Sequence, residues 1–156
     1  MKIQFYWIGE TKDKRLLSLE QEYLDRINRF IPAEIRKVPE QKKKDPRSRS
    51  AQLSKEGQKL LSLIPPGATV VVLDEKGDEP TSPKLAKWME KATVSGVSAI
   101  AFVVGGYWGL PEEIKMKADK ILALSRMTFP HETARILLLE QVYRAFAINN
   151  NLPYHK

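Results

Sequence analysis

The chain has 156 residues, 42% hydrophobic and 8% aromatic, which suits one globular domain over residues 1–156 and speaks against disorder. The absence of cysteine excludes disulfides and thiolate chemistry and fits a cytoplasmic protein, and neither a membrane helix of ~20 apolar residues nor a signal peptide is visible in the sequence. Lys and Arg number 26 against 19 Asp and Glu, a net charge of +7 that favours a polyanionic partner, although a solvated basic surface has the same composition.

In chain order, Lys2 to Ile8 alternates and is rich in Ile, Phe, Tyr and Trp, so it reads as a strand ending at Gly9. Leu16, Leu19, Tyr23, Ile27 and Phe30 recur at helical steps until Pro32 stops them. Glu34 to Val38 predicts a short second strand. The most basic segment follows, with Lys42, Lys43, Lys44, Arg47 and Arg49 offset by Asp45. Asp45-Pro46 reads as an N-cap and a first-turn proline, so a helix carrying Leu53, Leu60 and Leu61 starts inside that patch. Cations there oppose the helix dipole, which makes sense beside a phosphate backbone and equally for a solvated loop.

Ala68 to Leu73 predicts a buried strand by its β-branched run, stopping at a turn over Asp74-Glu75-Lys76-Gly77. Ser82-Pro83 caps a helix with Leu85, Trp88 and Met89 on its apolar face, and Gly96 closes it. Ile100 to Val104 reads as a strand buried on both faces. It empties into Gly105, Gly106 and Gly109, where missing side chains allow close approach of a ligand or of another chain segment. Pro111 starts a short helix, and Ile121 to Leu124 is a further short apolar run. Strands alternating with helices predict an α/β fold with an open, mostly parallel sheet and helices on both faces, free of repeats and linkers. Ligand crevices in such sheets lie at strand ends, here after Val104 and after Leu124.

The glycines do not make a dinucleotide fingerprint. Their spacing is G-G-x-x-G, they follow the fourth strand, and no acidic ribose contact lies about twenty residues on. Pro130 to Asn149 predicts one long helix, apolar nearly all round, which is either central or half-buried against a second subunit; its place near the chain end favours a homodimer. His131 and Arg135 share a face, as do Glu140 and Arg144, the second pair reading as structural. His131 stands where the helix dipole disfavours its cation, leaving an imidazole able to accept a proton. The tail residues Tyr154 and His155 read as a frayed end, or as groups that stack on a base and hold phosphate.

Four stretches in order, VVGGYWGL, LSRMTFPHETAR, EQVYRAFAI and the closing PYHK, resemble the RlmH family, small SPOUT methyltransferases that modify pseudouridine in ribosomal RNA. The resemblance spans the whole chain, including the VVLDEKG segment. It implies a SPOUT fold with a C-terminal trefoil knot, which general rules on chain threading would have excluded. It implies S-adenosylmethionine held by three loops, matching Leu73, then Gly105 and Gly106, then Leu124, Ser125, Arg126, Met127, Thr128 and Phe129, with Leu124, Met127 and Phe129 enclosing the adenine. The implied reaction methylates the N-3 ring nitrogen of a pseudouridine in large-subunit RNA of the assembled ribosome, by a cytoplasmic homodimer without a metal. That nitrogen carries a proton, so a base or an anion stabiliser is needed. Candidates are His131, Arg135, Arg144, Tyr154 and His155, with Tyr154 and His155 for target handling, in a partner's site, and Arg135 for charge or phosphate. Lys42, Lys43, Lys44, Arg47, Arg49 and Arg144 are the candidate RNA contacts. Tyr107-Trp108 occupies the middle of the glycine turn, where the family varies. The rival class is a non-catalytic RNA- or ribosome-binding protein of the same fold; a nucleotide-dependent oxidoreductase lacks its fingerprint.

Overall fold

Five strands form one all-parallel sheet in the computed structural model, which describes residues 1–40 and 45–154. The strands are β1 (Lys2–Ile8), β2 (Ala33–Val38), β3 (Thr69–Asp78), β4 (Ala99–Val104) and β5 (Lys120–Leu122), in spatial order β2-β1-β4-β3-β5. The helices are α1 (Lys14–Asn28), α2 (Arg49–Leu63), α3 (Ser82–Val94), α4 (Glu112–Met116) and α5 (His131–Asn149). This is the expected α/β architecture. Lys42, Lys43, Lys44 and His155 lie outside the described residues.

Strand alternation decides which side chain faces which helix layer. Ile3, Phe5 and Trp7 of β1, with Ile100, Phe102 and Val104 of β4, pack on one face against Ile27 of α1, Leu85 and Met89 of α3, and Leu138, Leu139 and Val142 of α5. Tyr6, Ile8, Ala101 and Val103 point the other way, toward Leu60 of α2 and Ile114 of α4. Helices therefore cover both faces, and every residue of β4 is buried, as its unbroken apolar run requires.

Three boundaries differ from the sequence reading. The stretch Asp74–Asp78 is not a turn: β3 continues through it, and its pairing with β5 shifts register between Leu73 and Asp78. Gly77 is what allows this, because a Cβ there would lie 2.7 Å from the Ile121 backbone. Asp45 does cap the next element by accepting from the Arg47 N–H at 3.0 Å, but that element is one 3₁₀ turn (Pro46–Ser48), and α2 starts only at Arg49. The cap of α3 is Thr81 rather than Ser82, whose hydroxyl instead donates to Gln141 Oε1 of α5 at 2.6 Å.

Helix α5 lies against both α1 and α3 on one face of the sheet, and none of its residues is fully exposed. Its apolar girth is thus explained first by a central position within one chain.

Candidate functional site

An open pocket of about 220 Å³ lies at the ends of β4 and β5, beside the middle of β3. Leu73, Gly105, Gly106, Leu124, Ser125, Met127, Thr128 and Phe129 line it, so the loops after β4 and β5 converge as the strand-end argument requires, and Leu73 joins them from within β3. Asp74, Glu75, Val104, Gly109, Leu110, Leu122, His131 and Ala134 complete the wall. Arg126, expected with this group, is outside the wall; its side chain is exposed and bonds Glu79 at 3.1 Å.

The glycine loop is shaped by the chain itself. A Cβ on Gly105 would sit 2.6 Å from the Gly109 carbonyl carbon, and one on Gly106 would sit 2.8 Å from Glu40 Oε1 and 2.9 Å from the Ile8 oxygen. One of the two reasons offered for these glycines, close approach of another chain segment, is met here. Gly109 has φ +80°, donates its N–H to Gly106 O at 3.1 Å and closes the loop. Glu40, just after β2, accepts from the Tyr107 N–H at 2.8 Å and pins the loop from outside.

The 124–129 loop is tied to the extension of β3. Thr128 donates its hydroxyl to Glu75 Oε2 at 2.5 Å, and the Met127 N–H donates to Ser125 Oγ at 3.1 Å. Asp74 on the pocket wall pairs with Lys115 of α4 at 2.6 Å. Burial pushes the Asp74 carboxyl up, but the Lys115 ammonium and the Lys76 N–H outweigh it and hold it below the usual carboxylate range. Reciprocally, the hydrogen bond to Asp74 raises Lys115. Asp74 therefore stays ionised, its charge met by the Lys115 ammonium.

His131, first residue of α5, lines the pocket, whereas Arg135 does not reach it. Arg135 is fully buried: Nη2 donates to the Ile8 carbonyl at 2.7 Å, Nη1 to Thr11 Oγ1 at 3.1 Å, and the guanidinium lies 5.7 Å from the Trp7 ring centroid. Glu20, itself buried, accepts from Trp7 Nε1 at 3.1 Å and from Thr11 Oγ1 at 2.6 Å. Burial pushes the Arg135 guanidinium down, opposed by Glu20, Glu132 and Glu40. Expected to meet a substrate charge or phosphate, Arg135 here turns its guanidinium inward and fastens α5 to the loop after β1. The partners that hold it come from the first twenty residues, out of reach of any local motif.

Tyr154 and Arg144 meet elsewhere. Tyr154 donates to Glu140 Oε1 at 3.1 Å, Arg144 Nη2 pairs with the same oxygen at 2.6 Å, and the guanidinium lies 4.7 Å over the Tyr154 ring. Burial, with hydrogen bonds to Tyr23 and Glu140, pushes the Tyr154 phenol up, while Glu140 raises Arg144. The tail thus folds back along α5, yet Glu140 is nine residues from His131, about 13 Å of helix. A single chain does not bring Tyr154 to the pocket.

Of the basic segment, Arg47 is exposed beside Asp45, and Arg49 lies 5.4 Å over the Trp108 ring of the glycine loop. The start of α2 is therefore placed at the pocket's glycine side. Glu40, Asp74 and Lys115 escaped the sequence reading because each acts through one tertiary contact; Pro39-Glu40 beside a basic run carries no signal of its own.

Among the described residues no His, Cys, Asp and Glu cluster could hold a metal, and no helix is long and apolar enough to cross a membrane. A family model described as predicted SPOUT methyltransferase matches residues 1–155. The chain is 41% identical over 155 residues to the ribosomal RNA large subunit methyltransferase H of Geobacter metallireducens, covering 99% of each chain. It is 43% identical over 159 residues to the ribosomal RNA large subunit methyltransferase H 1 of Clostridium perfringens, covering all of both. Two solved structures share the fold: a probable methylase family protein from Haemophilus influenzae (TM-score 0.53, 16% identity, 99% of this chain and 70% of that one) and a probable methyltransferase from Bordetella pertussis (TM-score 0.55, 12% identity, 92% and 95%).

Proposed function

The chain belongs to the SPOUT methyltransferase family, and from that premise we propose that it transfers a methyl group from S-adenosylmethionine to large-subunit ribosomal RNA, at N-3 of a pseudouridine in the assembled ribosome. The observation that carries this reading is the convergence of Leu73, Gly105–Gly106 and the 124–129 loop on one pocket, the three segments that the family resemblance implies for the cofactor. The reading includes a trefoil knot threaded through that last third of the chain and a cytoplasmic homodimer.

The pocket suits such a donor chemically. Leu124, Met127 and Phe129 offer apolar surface for an adenine, and backbone along the glycine loop and the 124–129 loop offers hydrogen bonds without side-chain obstruction. Glu75 supplies negative potential at the wall where a cationic donor would rest, the Asp74 charge being met by Lys115. When bound, S-adenosylmethionine supplies an electrophilic methyl group. The protein's own tasks are to hold the target nitrogen in line and to receive the proton it loses. His131 stands on the pocket wall at the start of α5 and takes the proton in this reading. Arg135 acts one step back, as a positioning residue that fixes the first turns of α5.

Tyr154 and His155 handle the target in the partner's pocket, with Glu140 and Arg144 orienting Tyr154. Support for a dimer comes from the α1–α5 surface, where half-buried Tyr23, Phe30, Tyr143, Phe146 and Tyr154 form a run of ring contacts at 4.8–6.2 Å. Lys42, Lys43, Lys44, Arg47 and Arg49 contact RNA phosphates, largely without sequence information. The test is methyl transfer to ribosomes lacking the modification, with nucleoside mass spectrometry of the product. Methylated pseudouridine is expected; ribosome binding without transfer would favour the non-catalytic alternative.

A further inference from the structure

The glycine loop carries a feature that the pocket does not use. Tyr107 is 54% exposed although its ring is large and largely apolar. It meets Trp108 edge-on, with centroids 4.7 Å apart at 82°, and Trp108 is in turn covered by the Arg49 guanidinium at 5.4 Å. Neither aromatic lines the pocket; both stand just outside it, between Gly106 and Gly109 of its wall. The backbone beneath them is held fast by the Gly109-to-Gly106 hydrogen bond and by Glu40 on the Tyr107 N–H. Exposed aromatic surface on a fixed loop, with the cation Arg49 beside it, is the combination that binds single-stranded nucleic acid: rings stack on bases while guanidinium groups meet phosphates.

We propose that Tyr107, backed by Trp108 and Arg49, is a stacking platform for an unpaired nucleobase of the RNA substrate beside the target nucleotide. This rests on the RNA methyltransferase reading above. A nucleobase is the occupant because it offers a flat π-face to Tyr107 and carries a phosphate that Arg49 can meet, whereas an apolar protein surface would leave that cation facing it. The platform would help hold the target strand splayed over the pocket, contributing to positioning and not to the chemistry at nitrogen.

The experiment compares wild type, Tyr107→Ala, Tyr107→Phe and Arg49→Gln in methyl transfer with ribosome concentration varied, alongside calorimetric S-adenosylmethionine binding and sedimentation. Tyr107→Ala should raise KM for the ribosome about 5- to 150-fold, the range set by one stacked base, while cofactor affinity and dimer mass stay as in wild type. Tyr107→Phe should restore wild-type KM, and Arg49→Gln should raise KM and reduce its salt dependence. An unchanged KM in Tyr107→Ala overturns the platform, as does a loss of cofactor affinity or of dimerisation in that variant, which would make Tyr107 part of the pocket or of a subunit contact. A wild-type protein that transfers no methyl group overturns the function reading instead.

Discussion

Replacing Arg135 by Met should destabilise the protein by roughly 3–5 kcal/mol, the cost of removing one member of a buried charged network. The guanidinium makes two hydrogen bonds, to the Ile8 carbonyl at 2.7 Å and to Thr11 at 3.1 Å, and is fully buried. Charged donors of this kind contribute about 1.5–3 kcal/mol each. Methionine keeps most of the stem's volume, so the cavity contribution stays small and the loss reports the charge. The carboxylate of Glu20 would remain buried against Trp7 and Thr11 without the cation that offsets it. For a chain of this length the loss corresponds to a fall in Tm of about 6–20 °C. Urea denaturation followed by circular dichroism measures it, and the slope m should not change. A loss below about 1 kcal/mol would refute the reasoning, because an arginine so cheaply removed is not fastening α5 to the loop after β1.

Gly105→Ala places a Cβ 2.6 Å from Gly109 backbone, so the glycine loop must open; S-adenosylmethionine affinity should fall at least tenfold with a stability loss of about 1–3 kcal/mol, and an unaltered affinity by calorimetry would place the donor elsewhere. The Asp74 carboxyl lies below its ordinary 3.8 in the folded state, so its contribution to stability is present above that value and lost as pH falls through the folded one. Lys115→Met should therefore lessen the loss of stability on acidification below pH 4, read from urea midpoints across pH; an identical acid limb would contradict the pairing. Tyr154→Phe should retain cofactor affinity and lose methyl transfer, and mixed dimers of Tyr154→Phe with Gly105→Ala should regain activity if one chain's tail serves the other's pocket. Two inactive variants that stay inactive after subunit exchange would contradict the shared site.

The parts of the fold that the sequence displayed were those built from local pattern. Alternation exposed β1, a β-branched run exposed the start of β3, the apolar run over residues 100–104 exposed nearly all of β4, and the position of the glycines after a buried strand located the pocket. What escaped depended on distant partners. The Asp74–Asp78 stretch is polar and exposed enough to read as a turn, and it is a strand only because β5 pairs beyond a register shift that Gly77 accommodates. Arg135 shares a helical spacing with His131, but the length of its side chain and the carbonyl of Ile8 carry the guanidinium into the core. Helix α5 shows the same limit, since an apolar girth fits a buried central helix as well as a subunit contact, and neighbours on α1 and α3 account for much of it.

The most direct test of the central claim is calorimetric titration of the purified protein with S-adenosylmethionine, with NADH and ATP as controls. Saturable binding of S-adenosylmethionine, absent for both controls and abolished or at least tenfold weaker in Gly105→Ala, is the predicted result. Failure of the folded protein to bind it, or equal binding of ATP, would contradict the assignment of the pocket at the ends of β4 and β5.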